Sequence, residues 1–91
     1  MPGSSLYTIE YLFNVVENDI PALPKTMKIL IKKAIEERLG VDPIGLGKPL
    51  RHSLKGHRRL RVGDYRVIYT IQGSIVLITA IKHRSYVYEG S

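Results

Sequence analysis

Ninety-one residues with 44% apolar content are expected to make one domain with a modest core, which excludes a disordered chain. There is no cysteine and no apolar run long enough to span a bilayer, so disulfide scaffolds, thiolate metal sites and membrane helices are excluded and a cytoplasmic location is expected. The net charge of +6 is concentrated: residues 1–50 carry six Lys/Arg and six Asp/Glu, whereas residues 51–91 carry eight Lys/Arg against Asp64 and Glu89, which points to a polyanionic partner.

The domain is expected to occupy residues 1–91, with 1–5 and 90–91 as disordered tails. Tyr7-Thr8-Ile9-Glu10-Tyr11 alternates as a short strand does. Phe13 to Ile20 predicts a short helix with Phe13, Val16 and Ile20 on one side, stopped by Pro21. Pro24 suits the first turn of a second helix, along which Met27, Leu30, Ile31, Ala34, Ile35 and Leu39 fall at helical spacing. Gly40 closes that helix and Asp42-Pro43 prevents its continuation. Its lysines read as a solvated face with Lys32–Glu36 and Lys33–Glu37 pairs. Val41 to Gly47 reads as a loop, and Lys48 to His52 as the approach to a hairpin.

Leu54 to Tyr69 reads as that β-hairpin, turned at Gly63-Asp64. A tight turn there sets Val62 against Tyr65 and Arg61 against Arg66. Arg59, Arg61 and Arg66 then share one face, and Leu60, Val62, Tyr65, Val67 and Tyr69 the other. Like charges directly opposite destabilise a strand pair, so the facing arginines suggest an anion. Gln72-Gly73-Ser74 is the next turn. Ile75 to Ile81 is nearly all apolar and reads as a strand covered on both faces. The fold class is therefore α+β: an N-terminal strand, a helical hairpin, then a three-stranded antiparallel meander. The helices cover one face and leave the other to the arginines.

The basic, aromatic end Lys82-His83-Arg84-Ser85-Tyr86-Val87-Tyr88 brings Lys82, His83, Arg84 and Tyr88 toward that arginine face. Histidine passes protons near neutrality, tyrosine stacks on bases or bonds phosphate, and arginine stabilises charge on a reacting phosphate. These are the needs of RNA cleavage by the ribose 2′-hydroxyl. The histidines are not at paired ligand spacing and few acidic residues lie near them, so neither a metal nor another cofactor is expected.

The segments Leu54-Lys55-Gly56, Arg59 to Tyr69, Ile81 to Arg84 and Val87-Tyr88 together resemble the RelE/ParE toxin superfamily, and more narrowly its RelE-type messenger-RNA interferases. The resemblance covers nearly the whole chain, including Tyr7 to Tyr11 and Asp42-Pro43. It implies a RelE-like fold and a metal-independent endoribonuclease that cuts messenger RNA in the ribosomal decoding site and so inhibits translation. It implies an acidic cognate antitoxin with an amphipathic helix, contact with operator DNA only through that antitoxin, and no membrane partner. The catalytic positions carried over are Arg61, Arg66 and Tyr88, with His83 as the proton-transfer candidate. Arg59, Lys55, Lys82 and Arg84 are the RNA-binding candidates, and Lys82, His83 and Arg84 compete for the functional basic position after the last strand. Arg58 stands where an aromatic residue is common, which implies looser packing at that edge, and Ser85 where a second arginine is common. ParE-like members inhibit DNA gyrase without a ribonuclease site. A basic module acting as corepressor with its antitoxin is a third possibility.

Overall fold

The computed structural model describes residues 6–50 and 56–86. The expected tails, Leu54-Lys55 at the hairpin entry, and Val87-Tyr88 lie outside the described residues. Strand β1 (Thr8–Tyr11) is followed by a short helix α1 (Val15–Asp19). Helix α2 (Lys25–Ala34) runs on without a break through Ile35–Leu39. A single helical turn α3 (Pro43–Leu46) and a two-residue strand β2 (Lys48–Pro49) lead to the meander β3 (Arg58–Val62), β4 (Tyr65–Gln72) and β5 (Ile75–His83), closed by a 3₁₀ turn, Arg84–Tyr86. The sheet order is β1-β5-β4-β3-β2, with β1 parallel to β5 and every other pair antiparallel. The meander is as expected; β1 adds to it on one side and β2 on the other.

The β3–β4 register is the one a tight turn requires: Val62 faces Tyr65, Arg61 faces Arg66 and Leu60 faces Val67. Gly63 supplies the turn with φ +59°, a conformation that a Cβ disfavours. The pleat then sends Leu60, Val67 and Tyr69 to one face, where they are buried with Val76, Ile78 and Ile81 of β5. Helix α2 covers that face with Ile31, Ala34, Ile35 and Leu39, assisted by Met27. Full burial of an Ile or Leu side chain contributes about 1.5–3 kcal/mol, so this stripe is what holds helix to sheet.

Three expectations about side-chain facing are corrected. Leu30 is 53% exposed, because the stripe that meets the sheet is narrow and Ile31, at 1%, fills it. Phe13 and Val16 are exposed while Val15 and Asp19 are buried. The cause lies on either side of α1: the Leu12 N–H still bonds Ile78 O, so the chain enters the helix close against β5. The winding is then π-type, with Ile20 N–H donating to Val15 O. The same winding recurs at the end of α2, where Gly40 N–H donates to Ile35 O. Gly40 O in turn accepts the Leu6 and Tyr7 N–H groups, which ties the start of the chain to the helix end.

The expected loop after Gly40 contains α3. Asp42 caps it by accepting the Gly45 N–H at 2.9 Å, and Pro43 occupies its first turn. Arg58 does not loosen this edge. Its guanidinium donates to Ile44 O at 2.6 Å and to Gly47 O at 3.0 Å, and beside it Tyr69 Oη donates to Pro43 O at 2.6 Å.

Strand β5 hides a change of phase. Ile68 pairs with Ala80 but Tyr69 pairs with Ile78, so Thr79 is an extra residue, a β-bulge. Its Oγ1 donates to Ile68 O at 3.3 Å. The bulge lets Ile78 and Ile81 both face the helices although they are an odd three positions apart. On the other face Ile75, Leu77, Thr79 and Ala80 are only half-covered.

Candidate nucleic-acid interface

The sheet face that the helices leave open carries a transverse row of cations. Arg61 on β3 faces Arg66 on β4, and Arg66 faces Lys82 on β5. Arg59 lies one step along the same face, opposite Ile68. Pleating points residues directly opposite one another to the same side, so these cations share a surface. They are held differently. Arg61 is exposed and Arg59 half-buried. Arg66 is 7% exposed: its guanidinium turns toward the hairpin end and donates to Gly63 O at 3.0 Å and Tyr65 O at 3.1 Å. That contact draws the Arg66 head off the row and lowers the repulsion from Arg61.

Lys82 is also drawn away. Its Nζ donates to Asp19 Oδ1 at 2.8 Å, and the other oxygen of that carboxylate accepts the Ile81 N–H at 2.9 Å. The pairing of β1 with β5 ends at Ile78, so the Asp19 carboxylate caps a β5 edge donor that no strand satisfies. Sequence reasoning misses Asp19. A signal exists for it: an acid four residues after Val15, on the same side of a short helix.

His83 belongs to the adjacent row, opposite Tyr65, so it points to the other face. Its ring meets Tyr65 edge-on, with centroids 5.3 Å apart. The Ser85 N–H donates to His83 Nδ1 at 3.2 Å and Ser85 Oγ lies 2.9 Å from the same atom. Ser85 thus orients the imidazole. Arg84 is exposed; its N–H donates to Asp64 O at 2.7 Å, and its Nε lies 3.9 Å from Asp64 Oδ1. That contact docks the end of β5 against the hairpin turn.

The expected cleft is therefore divided. Arg59, Arg61 and Arg66 lie on the open face. Lys82 reaches around the β5 edge to Asp19, and His83 sits with Tyr65. A cavity of about 830 Å³ runs along that edge, lined by Asn18, Asp19 and Leu23 from the helical side and by Tyr65, Lys82, His83 and Tyr86 from the sheet side. Tyr65 and Tyr86 offer aromatic faces there. Lys55 and Tyr88 lie outside the described residues. Among the described residues no three His, Asp or Glu side chains cluster as metal ligands would.

A basic hairpin docked to a basic, aromatic strand end, over a sheet backed by helices, has known relatives. Residues 14–88 match the family model described as the ParE toxin of the type II toxin–antitoxin system parDE. The chain belongs to this family of type II toxins, within the RelE/ParE superfamily. Toxin RelG of Mycobacterium tuberculosis is 30% identical over 84 residues, covering 90% of this chain and 95% of that protein. Toxin RelE of the same organism is 40% identical over 53 residues, covering 58% and 55%. The crystal structure of the RelBE2 toxin–antitoxin complex of M. tuberculosis contains a chain that superposes with TM-score 0.81 at 28% identity, covering 90% of this chain and 95% of that one. Among the described residues no helix is long and apolar enough to cross a membrane.

Proposed function

We propose that this toxin is a ribosome-dependent endoribonuclease that cuts messenger RNA in the decoding site. The observation that carries the reading is the group of Arg59, Arg61 and Arg66 on the sheet face that, among the described residues, lies away from the helices, with Arg66 fixed at the hairpin end by Gly63 O and Tyr65 O. Arginines gathered on one face, with Arg61 exposed, suit a phosphate that must bear extra charge. In the reaction a ribose 2′-oxygen bonds to the adjacent phosphorus and loses its proton, and the P–O5′ bond breaks. The products are a 2′,3′-cyclic phosphate and a 5′-hydroxyl that has gained a proton. Arg66 stabilises the developing charge, Arg61 and Arg59 hold the strand, and His83 at the end of β5 is the proton-transfer group together with Tyr88. The arginines offer charge but do not transfer protons, so rate depends on an orientation that the ribosome imposes. The reading places the toxin in the cytoplasm beside the ribosome. A cognate acidic antitoxin would cover the basic face, as the RelBE2 relative was solved in complex with its antitoxin.

The test is purified protein on programmed ribosomes, with cleavage mapped by primer extension. Cuts within the bound codon, ending in cyclic phosphate, are expected, with naked RNA left largely intact. The family model is described as the ParE toxin, and the resemblance to ParE-like members implies a second reading, inhibition of DNA gyrase. Loss of gyrase supercoiling activity with ribosome-bound messenger left whole would establish that reading and remove the first.

A further inference from the structure

Asp19 lies outside every pattern that points to RNA, yet it is the most constrained polar side chain of the cavity. Its carboxylate is 1% exposed, fixed on one oxygen by the Ile81 N–H and on the other by Lys82 Nζ. Lys82 is 46% exposed on its side chain, so the ammonium sits at the cavity mouth rather than within the core. An ammonium has three donors; one goes to Asp19 and two remain for an incoming oxygen anion. A lysine stem is flexible, and an unrestrained ammonium there would sample many positions. The geometry points to Asp19 as a positioning residue: it holds Lys82 at the cavity mouth as the cation that meets the RNA phosphate, and this assigns Lys82 the functional basic position after the last strand. The inference rests on the ribonuclease reading.

The test uses Asp19→Asn, Asp19→Glu, Lys82→Gln and the double variant D19N/K82Q. Asparagine keeps an acceptor for the Ile81 N–H and loses the charge that restrains Lys82. D19N should cut ribosome-bound messenger roughly tenfold or more slowly, within the ~10² that an ångström-scale misplacement costs. It should bind single-stranded oligouridine as tightly as the parent or more so, because one negative charge is gone. A structural role alone would lower binding and rate together. D19E should recover part of the rate. Because Asp19 acts through Lys82, D19N/K82Q should be no slower than K82Q. Parental cleavage by D19N, or losses that multiply in the double variant, would overturn the proposal.

Acetylation of Lys82 in the folded parent, followed by mass spectrometry, supplies an arm independent of cleavage and of whether D19N folds. Labelling should be slow and should slow further with oligouridine. Labelling as fast as that of Lys32 and Lys33, or unaffected by oligouridine, would overturn the proposal even if no ribosomal cleavage were found. Absence of cleavage by the parent, with Lys82 slow to label and protected, would instead remove the ribonuclease reading alone.

Discussion

The hydroxyl of Tyr69 donates to Pro43 O beneath the β3 edge, and a Cβ on Gly47 would overlap that hydroxyl. Glycine is required there by the space, since its φ of −105° suits any residue. Gly47→Ala should therefore cost about 1–3 kcal/mol, the usual range for overpacking, read from the denaturation midpoint. In a Y69F background the same change should cost less but still be felt, since the hydroxyl is gone while the ring carbon that bore it lies 2.7 Å from the added Cβ; equal costs would show that the hydroxyl clash is not the cause. Tyr69 also titrates abnormally. Burial raises its pKa above the ordinary 10.0, against the opposing hydrogen bond and charge of Arg58, and burial with the Glu36 charge raises that of Tyr11. A pKa higher in the folded state means that unfolding releases protons above pH 10.0, so stability is intact below that pH and falls as pH rises through the folded values. Alkaline unfolding curves should begin to decline near pH 10, and less steeply for Y69F. Arg66 belongs to this scale as well. Cross-strand repulsion predicts from sequence that its loss is harmless to the fold. Its two carbonyl partners and its burial reverse that: Arg66→Ala should lower stability by about 1–3 kcal/mol. Toxicity assays of that variant therefore need a measured melting curve beside them.

Among the elements, α2 shows how far periodicity reaches. Its existence, its start at Pro24 and its inward Ile31, Ala34, Ile35 and Leu39 are legible because apolar residues recur at three and four. Leu30 satisfies the same spacing and yet faces water, since it lies about a third of a turn round from Ile31, past the edge of the stripe that meets the sheet. Leu30→Ala should change stability by less than about 0.5 kcal/mol and Ile31→Ala should cost about 2–5 kcal/mol; comparable losses would mean α2 is rotated from the position described. The first helix is harder to read because its π winding departs from the 3.6-residue period, so Phe13 and Val16 mimic an inward face that Val15 and Asp19 occupy. The bulge at Thr79 defeats alternation in β5 for a related reason: the phase changes inside the strand, and the apolar run conceals the change. The hairpin is legible in full because its turn chemistry sets its register. The site is legible in part. Arg61 against Arg66 follows from the turn alone, whereas the Asp19–Lys82 pair joins residues 63 apart in sequence through an interaction that no local pattern encodes.

Across the whole molecule the two faces of the sheet carry positive charge in different ways. The helical side presents Lys32 and Lys33, exposed next to Glu36 and Glu37. The open side presents Arg59 and Arg61 with no acidic residue in their row. A field from total charge alone would make these faces equivalent toward a polyanion. A built phosphate site would not. Paired charge reversal separates the two ideas, because R59E/R61E and K32E/K33E each remove two positive charges and add two negative ones, taking the formal net charge from +6 to +2. The fold should survive the first pair, since Arg61 is exposed and a glutamate there removes a like charge opposite Arg66. Binding to single-stranded oligouridine should be measured across a salt series. Each phosphate that a cation neutralises adds roughly 0.7 to the slope of log affinity against log salt, so R59E/R61E should flatten it by roughly 1.4. K32E/K33E should keep the parental slope and lose affinity only modestly at low salt, where the field reaches furthest. If both variants flatten the slope alike, the arginine face is no more than one part of a basic surface.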